Sequence, residues 1–250
     1  MTKIIALSGK GGVGKTSISA LILRALRKNP GKRVLAIDGD PAVGFSTAVG
    51  VNVRKTLDQI RMEVIQDGKT GEKESRAAIL QRLEFELADA LLEERGFAFL
   101  AVGRPEAKGC YCKVNEFLKR MIADLASNFD YVIIDGEAGI EQINRRVMER
   151  VTHLLLVSDA SQKGINVAKT IYDVAQTSMQ YEKVGLLFNR LRTSDEAVVA
   201  DTGPLSVVGT LRESNAIHRA DIVGQSLLTL PEDDVIREFE RVLGTFLEEN

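Results

Sequence analysis

With 250 residues, 44% of them hydrophobic and 27% charged, the chain is long enough to bury one sizeable α/β core or two small ones. Its 33 Lys and Arg against 35 Asp and Glu leave a formal net charge of −2, which argues against broad electrostatic binding to nucleic acid or to an anionic membrane. No apolar run approaches the ~20 residues of a membrane span, the N-terminus shows no signal-peptide pattern, and two cysteines make no disulfide framework, so a cytoplasmic protein is expected.

The first apolar run predicts a buried strand over residues 3–8. Gly9-Lys10-Gly11-Gly12-Val13-Gly14-Lys15-Thr16 follows, with Ser17 completing the stretch. Ile18, Leu21, Ile22, Ala25 and Leu26 then recur at helical spacing, predicting a helix over residues 16–28. Strand, glycine-rich loop and helix in this order make a credible nucleotide site over residues 9–17. The glycines let the backbone curl so that several N–H groups face one phosphate chain, and the helix dipole acts on the same anion. In such a loop Lys15 reaches the β- and γ-phosphates, and the Thr16 hydroxyl ligates Mg²⁺.

Further apolar runs predict strands over residues 33–37, 97–102, 131–134, 153–157, 184–188 and 206–210. Helical spacing predicts helices over residues 76–94, 114–127, 164–179 and 233–248. Continuous apolar strands alternating with helices predict an α/β fold: one P-loop domain over residues 1–250, its mostly parallel central sheet covered by helices on both faces. Residues 52–75 stand out as irregular, because 67–73 carry too little apolar surface for a core, and a mobile surface excursion is expected there. The C-terminal run is amphipathic but ends in acidic residues, so packing on the sheet is expected. His153 reads as a satisfied edge histidine and His218 as a surface residue. Arg145, Arg146 and Arg150 read as a solvated helix face.

In open parallel sheets, ligands collect at the carboxyl ends of the strands. Asp38-Gly39-Asp40-Pro41 follows one predicted strand, Asp135-Gly136-Glu137-Ala138-Gly139 a second and Asn189-Arg190 a third. Asp135 has the position of a Walker B carboxylate near Mg²⁺, and Gly139 can offer a backbone N–H close to a γ-phosphate. One of Asp38 and Asp40 can equally cap the following turn, since Asp-Gly and Asp-Pro are turn formers.

The two cysteines are Cys110 and Cys112. In an extended segment residues two apart face the same side, so both sulfurs could reach one metal. They precede a predicted helix, with Lys108 and Lys113 nearby, a setting that favours thiolates. Two thiolates are half of a tetrahedral site, and a two-fold dimer would supply the rest. Taken alone, the pair reads equally well as two ordinary thiols.

The second loop lysine narrows the reading. Lys10-Gly11-Gly12-Val13-Gly14-Lys15-Thr16 resembles the deviant Walker A motif of the MinD/ParA/nitrogenase-iron-protein branch of P-loop NTPases. That resemblance implies a homodimer in which Lys10 crosses the interface to touch the partner's nucleotide. It also implies that Asp40 positions the attacking water, Asp38 supports the hydration of Mg²⁺, Asn189 reads the base, and Arg190 belongs to the nucleotide-binding residues. Arg190-Leu191-Arg192 lacks the Lys and Asp of a guanine-reading motif, so ATP is favoured over GTP, although the proline common after the next strand is missing here. With the block from Asp135 to Glu141, the block from Val157 to Ser161, and Gly109-Cys110-Tyr111-Cys112, the chain resembles the CooC family from Met1 to about Ile222. The resemblance implies an ATP-dependent metallochaperone whose Cys110 and Cys112 hold nickel or zinc at the dimer interface, with carbon monoxide dehydrogenase or acetyl-CoA synthase as client. No nucleic-acid or membrane partner is expected. Two other functions fit the same branch: a ParA/MinD-type positioning ATPase, and an iron-sulfur electron-transfer ATPase like the nitrogenase iron protein.

Overall fold

Most of the apolar runs become strands whose residues are buried on both faces, the run at 206–210 being more exposed, and such buried strands need helices on each side. The computed structural model describes residues 1–40, 42–70, 76–103, 112–137, 139, 143, 147–192 and 201–248. In chain order its elements are β1 (Lys3–Gly9), α1 (Lys15–Leu26), β2 (Val34–Asp38), α2 (Gly44–Val49), α3 (Leu57–Thr70), α4 (Arg76–Ala90), β3 (Leu92–Glu94) and β4 (Phe97–Ala101). Then come α5 (Cys112–Ala126), β5 (Tyr131–Asp135), β6 (His153–Ser158), α6 (Gln162–Ser178), β7 (Lys183–Leu191), β8 (Val207–Arg212) and α7 (Asn215–Val223). A single 3-10 turn (Leu227–Thr229) leads to α8 (Asp234–Leu247).

The eight strands form one sheet in the order β3-β4-β2-β5-β1-β6-β7-β8. Every pair is parallel except β3 with β4. Alternation along β1 divides the interior. Ile5 and Leu7 pack with Ile18, Ile22, Phe45 and Phe239 on the face covered by α1, α2 and α8. Ala6 points the other way, toward Ile60, Leu83, Ile122 and Ile165 of α3, α4, α5 and α6. The register sets Leu7 beside Asp135 and Asp135 beside Asp38, so two carboxylates stand level at neighbouring strand ends, next to the loop after β1. This is the expected α/β architecture, a mostly parallel sheet between two layers of helices.

Two expectations fail locally. The irregular excursion expected over residues 52–75 is overturned across 57–70, where α3 forms and buries Leu57, Ile60, Val64 and Ile65, while 71–75 lie outside the described residues. The polar composition of 67–73, which overlaps the end of the helix, hides this apolar face in the sequence. A capping box starts the helix, with the Thr56 N–H donating to Gln59 Oε1 at 2.8 Å and the Gln59 N–H donating to Thr56 Oγ at 3.3 Å. The second failure is the helix over residues 76–94, which stops at Ala90. Leu92–Glu94 turns back on β4 as a hairpin, through Arg95 and a Gly96 with φ of 89°.

His153 is buried, but β6 lies between β1 and β7, so it is not an edge residue. Its Nδ1 lies 2.8 Å from Thr152 Oγ, and its ring meets Phe246 edge to face at 5.2 Å. His218 is exposed on α7. No described helix is long and apolar enough to cross a membrane. The C-terminal run, as α8, buries Ile236, Phe239, Val242, Leu243, Phe246 and Leu247 against β8 and α1. Phe239→Ala should therefore cost about 3–5 kcal/mol, read from denaturant unfolding. A cost under ~1 kcal/mol would mean that α8 is not part of the cooperative core.

Candidate functional site

β1 ends at Gly9 and α1 begins at Lys15, and the loop between them lies at the carboxyl edge of the sheet. Gly9 has φ of 150°, and a Cβ there would stand 2.1 Å from the Val157 carbonyl oxygen, so the loop leaves the sheet where only glycine fits. Gly14 caps α1 in the left-handed region and has no side chain to satisfy the helix N-terminus. The first turn carries no acidic residue either. The N–H groups of that turn are thus left for an external anion. Lys15 curls back over the loop, its Nζ donating to the carbonyls of Gly9 at 3.1 Å and Lys10 at 3.2 Å. Burial lowers the pKa of Lys15, against the pull of Asp135, Asp40 and Glu137.

Asp135 is fully buried at the end of β5. It accepts from Thr16 Oγ at 2.7 Å and from Ser19 Oγ at 2.8 Å. Burial pushes its pKa up to about 6, although both hydroxyls and Lys15 oppose the shift. Ser19 has no place in the sequence reading; its signal is the spacing of three from Thr16, which puts both hydroxyls on one helix face. Asp38 is also fully buried. Its Oδ1 accepts from the Asp40 N–H at 3.1 Å, and its Oδ2 from the N–H groups of Phe45 at 3.0 Å and Ser46 at 3.4 Å. Burial, then the Asp135 charge, push Asp38 up to about 7. Asp40 is half-buried and its Oδ1 accepts from the Ala42 N–H at 2.8 Å. Both aspartates therefore shape the turn after β2, whereas a single capping residue is the alternative the sequence raises. The Gly139 N–H donates to the Glu137 carbonyl at 2.8 Å.

Lys10 and Lys15 point to different partners. The Lys10 Nζ lies 3.1 Å from Asp159 Oδ2 of its own chain, with side-chain exposures of 27% and 35%. Asp159 Oδ1 accepts from the Ser161 N–H at 3.1 Å and from the Ser161 hydroxyl. Burial works against this carboxylate, but Ser161 and Lys10 outweigh it and hold its pKa below the usual range. On the far side of the loop, the Asn189 Nδ2 donates to the Val13 carbonyl at 2.9 Å and the Arg190 Nη1 to the Gly12 carbonyl at 3.0 Å. Beside them a cleft of about 110 Å³ is lined by Ser17, Asn189, Arg190, Glu213, His218 and Asp221 among others. A larger cleft, about 600 Å³, opens at the opposite end of the sheet beside Ile4, α5 and residues 147–152, away from all these groups.

The loop, Asp135, Asp38, Asp40, Asn189 and Arg190 thus converge at one edge of the sheet. Cys110 lies outside the described residues, as do Arg145 and Arg146. Cys112 opens α5, which follows the parallel strand β4 and so starts at that same edge. Arg150 is exposed and pairs with Glu182 at 2.9 Å. Among the described residues no group of three or more His, Cys, Asp or Glu could hold a metal ion by itself.

Comparison with known proteins agrees with this geometry. The uncharacterized ATP-binding protein MJ0685 of Methanocaldococcus jannaschii is 33% identical over 244 residues, covering 96% of each chain. The carbon monoxide dehydrogenase accessory protein CooC of Rhodospirillum rubrum is 27% identical over 237 residues, covering 90% of this chain and 89% of its own. The crystal structure of the cell division ATPase MinD from Pyrococcus furiosus superposes with a TM-score of 0.70 at 22% identity, covering 98% of both chains. The AAA domain profile AAA_31 matches residues 1–184, and the chain belongs to that family of P-loop ATPases.

Proposed function

We propose that this ATPase is a nucleotide-switched homodimer that carries a metal ion on Cys110 and Cys112 and delivers it to a client metalloenzyme. The cargo is nickel, with zinc as the other ion the thiolates suit, and the client is carbon monoxide dehydrogenase or acetyl-CoA synthase. The observation that carries the switch is the division of labour between two loop lysines. Lys15 is folded over its own loop, while Lys10 points outward to Asp159 at a partly exposed position. Support for the cargo comes from the cysteine pair and from the similarity to the CooC protein. With two cysteines per chain, a two-fold dimer has the four thiolates of a tetrahedral site.

The reaction is transfer of the γ-phosphoryl group to water. The water oxygen bonds to phosphorus as the bond to the bridging oxygen of ADP breaks, and the water proton leaves with phosphate. Lys15 and the α1 N-terminus neutralise the charge on the phosphate oxygens, and the partner's Lys10 adds to them. Asp40 orients the water. Asp38 holds the turn that carries Asp40, through the N–H groups of Asp40, Phe45 and Ser46. The Thr16 hydroxyl and the Asp135 carboxylate are hard oxygen donors 2.7 Å apart, a set that fits Mg²⁺. When bound, the ion would supply neutralisation of the charge on the phosphates, held by Thr16 and Asp135.

Asp40→Ala should lose hydrolysis, by on the order of 10²-fold or more, yet still dimerise with Mg-ATP. Normal hydrolysis in that variant would remove Asp40 from the mechanism. Size-exclusion chromatography with in-line metal analysis, on anaerobic protein with Mg-ATP, tests the cargo. About one metal per dimer, lost in the Cys110→Ser/Cys112→Ser variant, is the expected result. A dimer with no cysteine-dependent metal would leave only the ATP switch.

The buried carboxylates predict a pH dependence. Asp38 at about 7 and Asp135 at about 6 both stand above their unfolded value of 3.8, so the native, nucleotide-free protein binds more protons than the unfolded chain between these limits. Its stability should therefore fall as the pH rises from about 4 to about 7, read from thermal unfolding without magnesium. A melting temperature that climbs over this range would contradict the assigned environment of both groups.

A further inference from the structure

In a regular strand, neighbouring side chains point to opposite faces. Asn189 and Arg190 are neighbours in β7, yet both donate to the same loop, at the consecutive carbonyls of Val13 and Gly12. The cause is a break in the ladder. Phe188 stands opposite Thr210 and Leu191 opposite Arg212, so three steps along β7 meet two along β8. The extra residue is a β-bulge, a device that re-aims side chains. Arg190 has φ of 60°, a left-handed conformation that a non-glycine residue enters at a cost. The strain therefore sits on the residue whose guanidinium meets the loop.

A phosphate-binding loop must turn its N–H groups inward, which turns its carbonyls outward. An outward carbonyl without a partner leaves its peptide plane free to rotate, and a rotated plane aims oxygen at the phosphates. The risk is greatest here around Gly11 and Gly12, where a Cβ would find nothing within 4 Å and Gly12 has φ of 83°. The two donors from the bulge hold the carbonyls that follow. Gly14 completes the fit, since a Cβ there would stand 2.6 Å from Asn189 Nδ2.

We propose that Arg190 is a positioning residue for the phosphates. Its guanidinium, presented by the β7 bulge, fixes the Gly12 carbonyl so that the loop keeps its N–H groups turned toward a triphosphate. Asn189 does the same one residue on, at Val13. Arg190 acts through the loop rather than by touching the base. The proposal rests on the loop being the nucleotide site.

The test compares inorganic tripolyphosphate, Mg-ATP and Mg-GTP by titration calorimetry on the full chain. Arg190→Gly removes guanidinium and strain together. It should weaken tripolyphosphate and ATP by the same factor, about five- to tenfold, with the preference for ATP over GTP unchanged. Its melting temperature should stay near that of the wild type, because glycine adopts the same φ without strain. If it folds poorly, Arg190→Asn, which tolerates the left-handed region, is held to the same expectation. Loss confined to ATP, or an altered ATP to GTP ratio, would place the guanidinium at the base and overturn the proposal. Unchanged affinity for all three ligands would also overturn it. Lys15→Ala, run in parallel, separates the deeper failure. If it binds tripolyphosphate as the wild type does, the loop is not the nucleotide site and the proposal falls with that reading.

Discussion

The bonds from Thr16 and Ser19 to the buried Asp135 carboxylate set the geometry of the whole carboxyl edge. A helix that packs on a sheet through Ile18, Leu21 and Ile22 alone could rotate about its axis and slide along it with little change in buried area. Two hydroxyls from one face of α1, closing on the two oxygens of one carboxylate, remove both freedoms. They fix where the first turn of α1 points, and with it where the glycine loop ends. Burial makes the constraint stiff, because a carboxylate at that depth cannot give up a hydrogen bond to water in exchange. The raised pKa of Asp135 is the other face of the same fact.

Around that anchor the loop is held from three directions. Asp135 holds the start of α1. The bulge of β7 holds the carbonyls of Gly12 and Val13. Lys15 lies across the carbonyls of Gly9 and Lys10. The third restraint is a lysine ammonium, and it is also the group that a triphosphate would draw away. The loop is therefore rigid where it must present N–H groups and adjustable where it must receive charge. That division matches electrostatic preorganisation, in which the donors are in place before the charge arrives.

Much of this was legible in the sequence because it depends on local pattern. The strand, loop and helix around residues 9–17 were readable from glycine spacing and apolar periodicity, and Asp135 from its place after an apolar strand. What stayed hidden depends on contacts between distant segments. The bulge at Asn189 and Arg190 exists only in register with β8, so no pattern within β7 announces it. Ser19 matters because β5 lies under α1, a fact of sheet order. The helix α3 was hidden for a different reason. Its start is a plain capping box at Thr56 and Gln59, but the glycine- and lysine-rich stretch over 67–73 dominated the composition of the window.

The Lys10–Asp159 pair bears on how a dimer switch of this kind would operate. Both side chains are about a third exposed, and exposed pairs of this sort contribute about 0–1 kcal/mol. The pair thus gives Lys10 a defined resting place without a deep well. A bound triphosphate would carry several negative charges at close range, and its pull on an ammonium would exceed that of one half-solvated carboxylate. Asp159 does not depend on Lys10 for its place, since the N–H and hydroxyl of Ser161 hold its other oxygen. Lys10 can therefore leave for a nucleotide across the proposed interface while its former acceptor stays put. It can return without refolding of the segment that opens α6. A buried, fully paired lysine at position 10 would have made the same exchange costly.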